Sequence, residues 1–169
     1  MKTNIQCGVI IPGEVDTTKY DAIAKKLEQV FTSYIEEAKP LPEAAEECEI
    51  SVTFAAPEQV AAMNAKYREV EGPTDVLSFP MWEDEEGKFT PADDWLSLPL
   101  GDIIVCPEVV AKNAQEHGKS EEAETVLVIC HGFLHLIGYD HADDASRDAM
   151  WRIQDSLTAK YFDAEPKAE

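Results

Sequence analysis

Ser120-Glu121-Glu122-Ala123-Glu124-Thr125-Val126-Leu127-Val128-Ile129-Cys130-His131-Gly132-Phe133-Leu134-His135-Leu136-Ile137-Gly138-Tyr139-Asp140-His141 is the stretch on which the reading of this chain turns. Ser120 is a good N-cap, and the acids after it suit the positive end of a helix. Val126, Leu127, Ile129, Cys130, Phe133, Leu134, Leu136 and Ile137 then cover most of the helical circumference. A helix that is apolar nearly all round is a buried helix. Gly138 takes the left-handed conformation that ends it.

Upstream of this helix the pattern alternates between strands and helices. Residues 3–11 predict a first strand, and 17–38 an amphipathic helix with Tyr20, Ile23, Leu27, Val30, Phe31, Tyr34 and Ile35 at spacings of three and four. Lys39-Pro40-Leu41-Pro42 stops it. Glu49 to Phe54 alternates polar and apolar, as a half-buried strand does. Pro57 opens a short helix through Tyr67, and Val76 to Phe79 is a short strand before Pro80. Residues 82–98 are rich in acids, with Gly87 and Pro91, and predict a solvated hairpin tip or insertion. Ile103 to Cys106 is a continuous apolar run, a central strand, and Pro107 opens a helix ending near Gly118. Downstream, residues 143–162 form a last amphipathic helix, followed by a polar tail over 163–169. Strands and helices mix without a regular βαβ alternation, so the fold class is α+β.

The 169 residues make one domain over 1–162 with a short tail, and 44% apolar content supplies a core without disulfides. Cys7, Cys48, Cys106 and Cys130 are scattered, with no C-x-x-C, which points to a reducing cytoplasmic setting and small buried side chains. No stretch reaches the length of a membrane span. With 14 Lys+Arg against 34 Asp+Glu the formal charge is −20, which excludes a generally basic nucleic-acid coat protein. RNA binding would need a local positive cleft, built from a metal, Arg68 and one or more of Lys66, Lys112 and Arg147. With this net charge it would be weak without help from a partner.

His131 and His135 are four apart, about 40° apart on one helix face. The turn at Gly138 lets the chain bring His141 back to the same point. Two imidazoles on adjacent turns and a third beyond them suit a divalent metal with one position left open, the arrangement of a catalytic zinc. A lone histidine on an apolar helix is ordinarily an inert core group; three at this spacing are not. Zinc suits three imidazoles best, while nickel, copper and iron are also compatible. The spacing H-x-x-x-H-x-x-G-x-x-H is shared with metzincin proteases, whose glutamate after the first histidine is the general base. Here that position is Gly132, so a peptidase of this type would lack its proton acceptor.

The segment His131–His141 resembles the signature of the YbeY family of bacterial rRNA-maturation endoribonucleases. Asn64-Ala65-Lys66-Tyr67-Arg68, followed by Pro73-Thr74-Asp75-Val76-Leu77-Ser78-Phe79-Pro80, resembles its N-x-x-Y-R and T-D-V-L-S-F-P block. Leu100-Gly101-Asp102-Ile103 with Pro107-Glu108 resembles its L-G-D-I block. The likeness spans residues 58–160. It implies a four-stranded mixed sheet packed with several helices, and one zinc on His131, His135 and His141 at the end of the buried helix. It also implies that Arg68 lies in the same cleft and acts in substrate binding or catalysis. The activity implied is single-strand-specific RNA cleavage in 16S rRNA 3′-end maturation and ribosome quality control, with rRNA and the small ribosomal subunit as partners. The chain departs from the family after Arg68: Glu69-Val70-Glu71 stands where R-x-K-D is common, so a basic residue is absent at Val70.

By residue type alone, Arg68 is as well explained by a surface pair with Glu69 or Glu71 as by a catalytic guanidinium; the resemblance favours the second. Asp140 either orients a ligand histidine or, the simpler reading, bonds local backbone, and Asp75 has the same ambiguity. Asp102 is expected to fix a loop, and His117 to supply a favourable charge at a helix end. Cys130 points about 100° away from His131. Three functions remain open: a metal-dependent endoribonuclease, another metallohydrolase such as a degenerate peptidase, and a non-catalytic ribosome-assembly factor with a structural metal.

Overall fold

Cys48, Ile50, Val52 and Phe54 alternate along one strand and are all at most 1% exposed, because the residues between them face the other way. The strand they define, β2 (Glu47–Ala55), lies inside a four-stranded sheet in the computed structural model, which describes residues 1–13 and 16–163. The other elements are β1 (Lys2–Ile10), α1 (Thr18–Ala38), α2 (Pro57–Arg68), β3 (Val76–Pro80), β4 (Ser97–Val105), α3 (Pro107–His117), α4 (Glu121–Leu136) and α5 (Asp144–Asp163). The sheet order is β1-β2-β4-β3. β1 pairs with β2 and β2 with β4 in parallel, while β3 runs antiparallel to β4. The fold is therefore α+β with a mixed sheet, as the sequence and the resemblance implied.

α4 lies against β3 and β4, with α3 and α5 beside it. Phe133, Leu134 and Leu136 are fully buried, each contributing about 1.5–3 kcal/mol of transfer free energy. Phe133 stacks on Phe31 of α1, ring centroids 4.0 Å apart and nearly coplanar in tilt at 8°. A smaller apolar cluster of Ala55, Val60, Leu77, Ile104 and Cys106 packs separately, with Met63 and Val109 against it.

The strand expected at Ile103 to Cys106 starts earlier, at Ser97. Pro99 and Gly101 masked its first half in the sequence. The pairing with β2 slips between Glu49 and Ile50, so that Glu49 faces Pro99 and Ile50 faces Gly101. This bulge shifts the inward parity from Leu98 and Leu100 to Ile103 and Val105, and all four side chains reach the same core. Asp102 accordingly stands exposed within β4 and fixes no loop. Of the acidic segment 82–98, Ser97 and the buried Leu98 open β4, while residues 82–96 lie in the connection between the antiparallel strands β3 and β4. Its tip is exposed, with the Asp84 carboxylate accepting the Glu86 and Lys88 N–H groups at 2.8 and 2.9 Å. Its base is not merely solvated: Trp82 and Phe89 are partly buried against the main core. Of the polar tail expected over 163–169, Asp163 closes α5 and the rest lies outside the described residues. Among the described residues no helix is long and apolar enough to cross a membrane.

Candidate metal centre

α4 puts His131 and His135 on the face that looks into a cleft of about 1170 Å³, and Gly132 on the face pressed to the sheet. A Cβ at Gly132 would come within 3.1 Å of Ile103 and of the Ser78 hydroxyl. Helix and sheet approach closely there, so a glutamate in the metzincin position would have to displace the Ile103 and Ser78 side chains. The helix ends with Gly138 N–H donating to the His135 carbonyl and Tyr139 N–H to the Leu134 carbonyl, at 3.2 and 3.0 Å. Gly138 has φ +99°, and a Cβ there would lie 2.6 Å from that of Phe89. The chain then folds back and delivers His141.

One ring nitrogen from each of His131, His135 and His141 falls within 4.8 Å of the others. The hydrogen bonds decide which nitrogens are free. His131 Nδ1 donates to the Gln154 amide oxygen at 2.7 Å, and His135 Nδ1 donates to the Tyr139 carbonyl at 3.0 Å. Both Nδ1 atoms therefore carry the proton, and both Nε2 atoms expose a lone pair. Those two Nε2 atoms are 3.0 Å apart. Two lone pairs that close repel unless a cation lies between them, so the donor set fits a divalent ion and the group can hold one. Burial holds the His131 imidazole below its usual pKa. Burial, then the neighbouring His131 and His141, brings His135 down to about 4. Both rings stay neutral near pH 7, the state that ligation requires. Trp151 of α5 stands edge-on to His131 and His141, with centroids 5.4 and 5.7 Å away, and walls the site on one side.

Arg68, the last residue of α2, lines the same cleft. Its Nη2 donates to the Ser78 carbonyl of β3 at 2.9 Å, which anchors one edge of the guanidinium. Among the described residues it forms no ion pair with Glu69 or Glu71, so the surface-pair reading does not hold. It is the one lysine or arginine among the cleft-lining residues; Lys66, Lys112 and Arg147 do not line it. Lys66 instead lies over the Tyr67 ring, and Arg147 pairs with Asp144 at 3.1 Å.

The simpler readings hold for two aspartates. Asp140 accepts the His141 N–H at 2.7 Å, and Asp75 accepts the Val76 N–H at 2.8 Å. Cys130 is buried away from the cleft, and burial pushes its thiol up to about 12. His117 does more than sit at a helix end: its Nδ1 is 3.0 Å from the buried Glu124 carboxylate, and both line the cleft. Sequence reasoning missed Gln154 and Glu124. Each had a signal, a polar residue inside a buried helical stripe: Met150, Gln154, Leu157 and Tyr161 in α5, and Glu124 with Val128 in α4.

Comparison with known proteins identifies the family. Residues 14–162 match the family described as Endoribonuclease YbeY. A relative from Heliobacterium modesticaldum named Endoribonuclease YbeY is 40% identical over 134 residues, 78% of this chain and 78% of its own. One of the same name from Staphylococcus aureus is 37% identical over 83% of this chain and 88% of its own. The match to the Frankia casuarinae relative is shorter and spans 59% of that protein's length. The solution structure of a Thermotoga maritima protein superposes with a TM-score of 0.57 at 26% identity, covering 95% of this chain and 99% of the other. With residues 14–162 matched to the family and relatives 37–40% identical over most of its length, the chain belongs to the endoribonuclease YbeY family.

Proposed function

We propose that this chain is a metal-dependent endoribonuclease that cleaves single-stranded rRNA in the cytoplasm, in 16S rRNA 3′-end maturation and ribosome quality control. The observation that carries the reading is the facing pair of His131 and His135 lone pairs, with His141 beside them, in a cleft that also contains Arg68. His131, His135 and His141 are the proposed ligands, and zinc the proposed ion. When bound, such an ion supplies a Lewis acid for the phosphoryl group and lowers the pKa of water. Gln154 and the Tyr139 carbonyl hold the imidazole protons on Nδ1, which keeps both Nε2 atoms available. Arg68, with one N–H spent on Ser78, turns its remaining donors to the negative charge that builds on the non-bridging oxygens. The net charge of −20 repels RNA at long range, so we assign productive docking to the small subunit or a protein bound to it.

The test is cleavage of single-stranded against duplex RNA by metal-loaded protein, with Arg68→Ala alongside. Arg68→Ala is expected to lower kcat by about 10²-fold while metal content and fold are unchanged. Full RNA cleavage by that variant would remove Arg68 from the mechanism. Cleavage of casein or peptides with RNA untouched would overturn the endoribonuclease reading.

A further inference from the structure

Met150, Gln154, Leu157 and Tyr161 are the buried residues of α5 and recur at spacings of four and three, which defines the face turned to the core. Trp151 follows Met150 and so sits about 100° round the helix, off that stripe. It is 39% exposed and lines the cleft. An indole left in water forgoes the burial that so large an apolar side chain ordinarily contributes. Its ring centroid lies 5.4 Å from that of His131 and 5.7 Å from that of His141, with the ring planes at 85° to both imidazoles. The two imidazoles are 5.7 Å from each other. The three centroids therefore form a nearly equilateral triangle, and both histidines lie to the same side of the indole. Perpendicular contacts from one side occupy one edge or one face of the ring and leave another face for a third ring. His141 is the exposed member of the three histidines, so the site opens to solvent beside Trp151. Tyr67, also exposed in the cleft, is less free: Lys66 Nζ lies over its ring at 5.2 Å and Phe79 meets it at 5.4 Å.

We propose that Trp151 is a stacking platform for one unpaired nucleobase of the RNA, on a nucleotide adjoining the scissile phosphate. This deepens the endoribonuclease reading above and rests on it. The indole touches two of the three proposed ligands, so a base on it belongs to a nucleotide whose phosphate is within reach of the site. Every base has a π-face, and stacking on it needs no charge. That suits a chain of net charge −20 whose cleft is lined by one arginine and no lysine among the described residues. Phosphate contacts are then few, and stacking supplies affinity that they do not. A paired base is already stacked within its helix, so the platform favours single strands over duplex. A purine covers more of the indole than a pyrimidine and is preferred at that position. A plain steric wall would also keep a tryptophan beside the metal, but it makes no distinction between a nucleotide that has a base and one that has none.

The experiment uses the metal-loaded full chain and single-stranded RNA oligomers in which each nucleotide around the mapped cleavage point is replaced, one at a time, by an abasic ribose spacer. One abasic position beside that point is expected to lower kcat/KM about tenfold, chiefly through KM. Trp151→Ala is expected to lose about tenfold on the intact oligomer, with metal content unchanged, and to lose nothing further at that abasic position. Trp151→Phe keeps a ring and is expected to recover most of the activity. A second measurement does not depend on the alanine variant folding or holding its metal. An uncleaved all-deoxy single strand is titrated in, with binding followed by anisotropy and the protein by its tryptophan fluorescence. Binding is expected to quench the wild type and to leave Trp151→Phe, which keeps Trp82 and Trp95, unquenched. A wild type that binds without quenching, undiminished cleavage by Trp151→Ala, or an equal loss by that variant on intact and abasic oligomers would overturn the platform. Failure of the wild type to cleave or bind any oligomer would instead overturn the endoribonuclease reading beneath it.

Discussion

Replacing Gly138 with alanine perturbs the turn that brings His141 to the other two histidines. At φ +99° an L-residue loses roughly 1–2 kcal/mol relative to its preferred backbone. The new methyl would also lie 2.6 Å from the Phe89 Cβ, well inside van der Waals contact, which adds overpacking of about 1–3 kcal/mol. The two together destabilise the fold by roughly 2–5 kcal/mol, a drop of about 1–2 M in urea midpoint for a domain of this size. Because the strain falls between His135 and His141, it weakens metal affinity as well. Urea unfolding and a chelator-competition titration measure the two effects. The double variant Phe89→Gly with Gly138→Ala removes the Cβ that overlaps and leaves the backbone cost, so it is expected to recover part of the loss in a double-mutant cycle. An unchanged urea midpoint in Gly138→Ala, with metal affinity intact, would refute the reasoning about this turn.

Two further outcomes follow from groups around the site and core. Gln154→Leu removes the acceptor that fixes the His131 tautomer; metal affinity is expected to fall by about 10–100-fold with helicity unchanged, and unaltered affinity in a chelator titration would contradict the role given to Gln154. Burial raises the Cys7 thiol to about 11 and the Cys130 thiol to about 12. A raised pKa means less thiolate, about one part in a thousand at pH 8 for Cys7, so alkylation of the folded protein is slow and quickens with rising pH or with urea. Rapid labelling of native protein at pH 8 would show that these sites are not protected.

The sequence was most legible where one physical signal dominated. Helical periodicity located α1 and α4, prolines at first helical turns located α2 and α3, and the histidine spacing located the metal cluster. It was least legible where a local feature interrupted the pattern. Pro99 and Gly101 hid the first half of β4, since a bulge changes which side chains face inward and a period of two no longer shows it. The composition of 82–98 suggested solvation throughout, but Trp82 and Phe89 are single apolar residues in an acidic run, and only tertiary packing reveals that Phe89 supports the Gly138 turn. Gln154 and Glu124 belong to helices whose buried stripes are otherwise mostly apolar, and their partners, His131 and His117, come from other helices. Arg68 was placed in the cleft by the family resemblance alone, since the approach of the end of α2 to β3 is a contact that no local pattern encodes.

The central claim is an open three-histidine metal centre in this cleft. The measurement that tests it most directly is elemental analysis of purified wild-type protein and of His135→Ala, each checked for fold by circular dichroism. About one zinc per chain is expected in the wild type, lost in a His135→Ala variant that remains folded. A folded wild-type protein that takes up no metal when zinc is supplied would contradict the account.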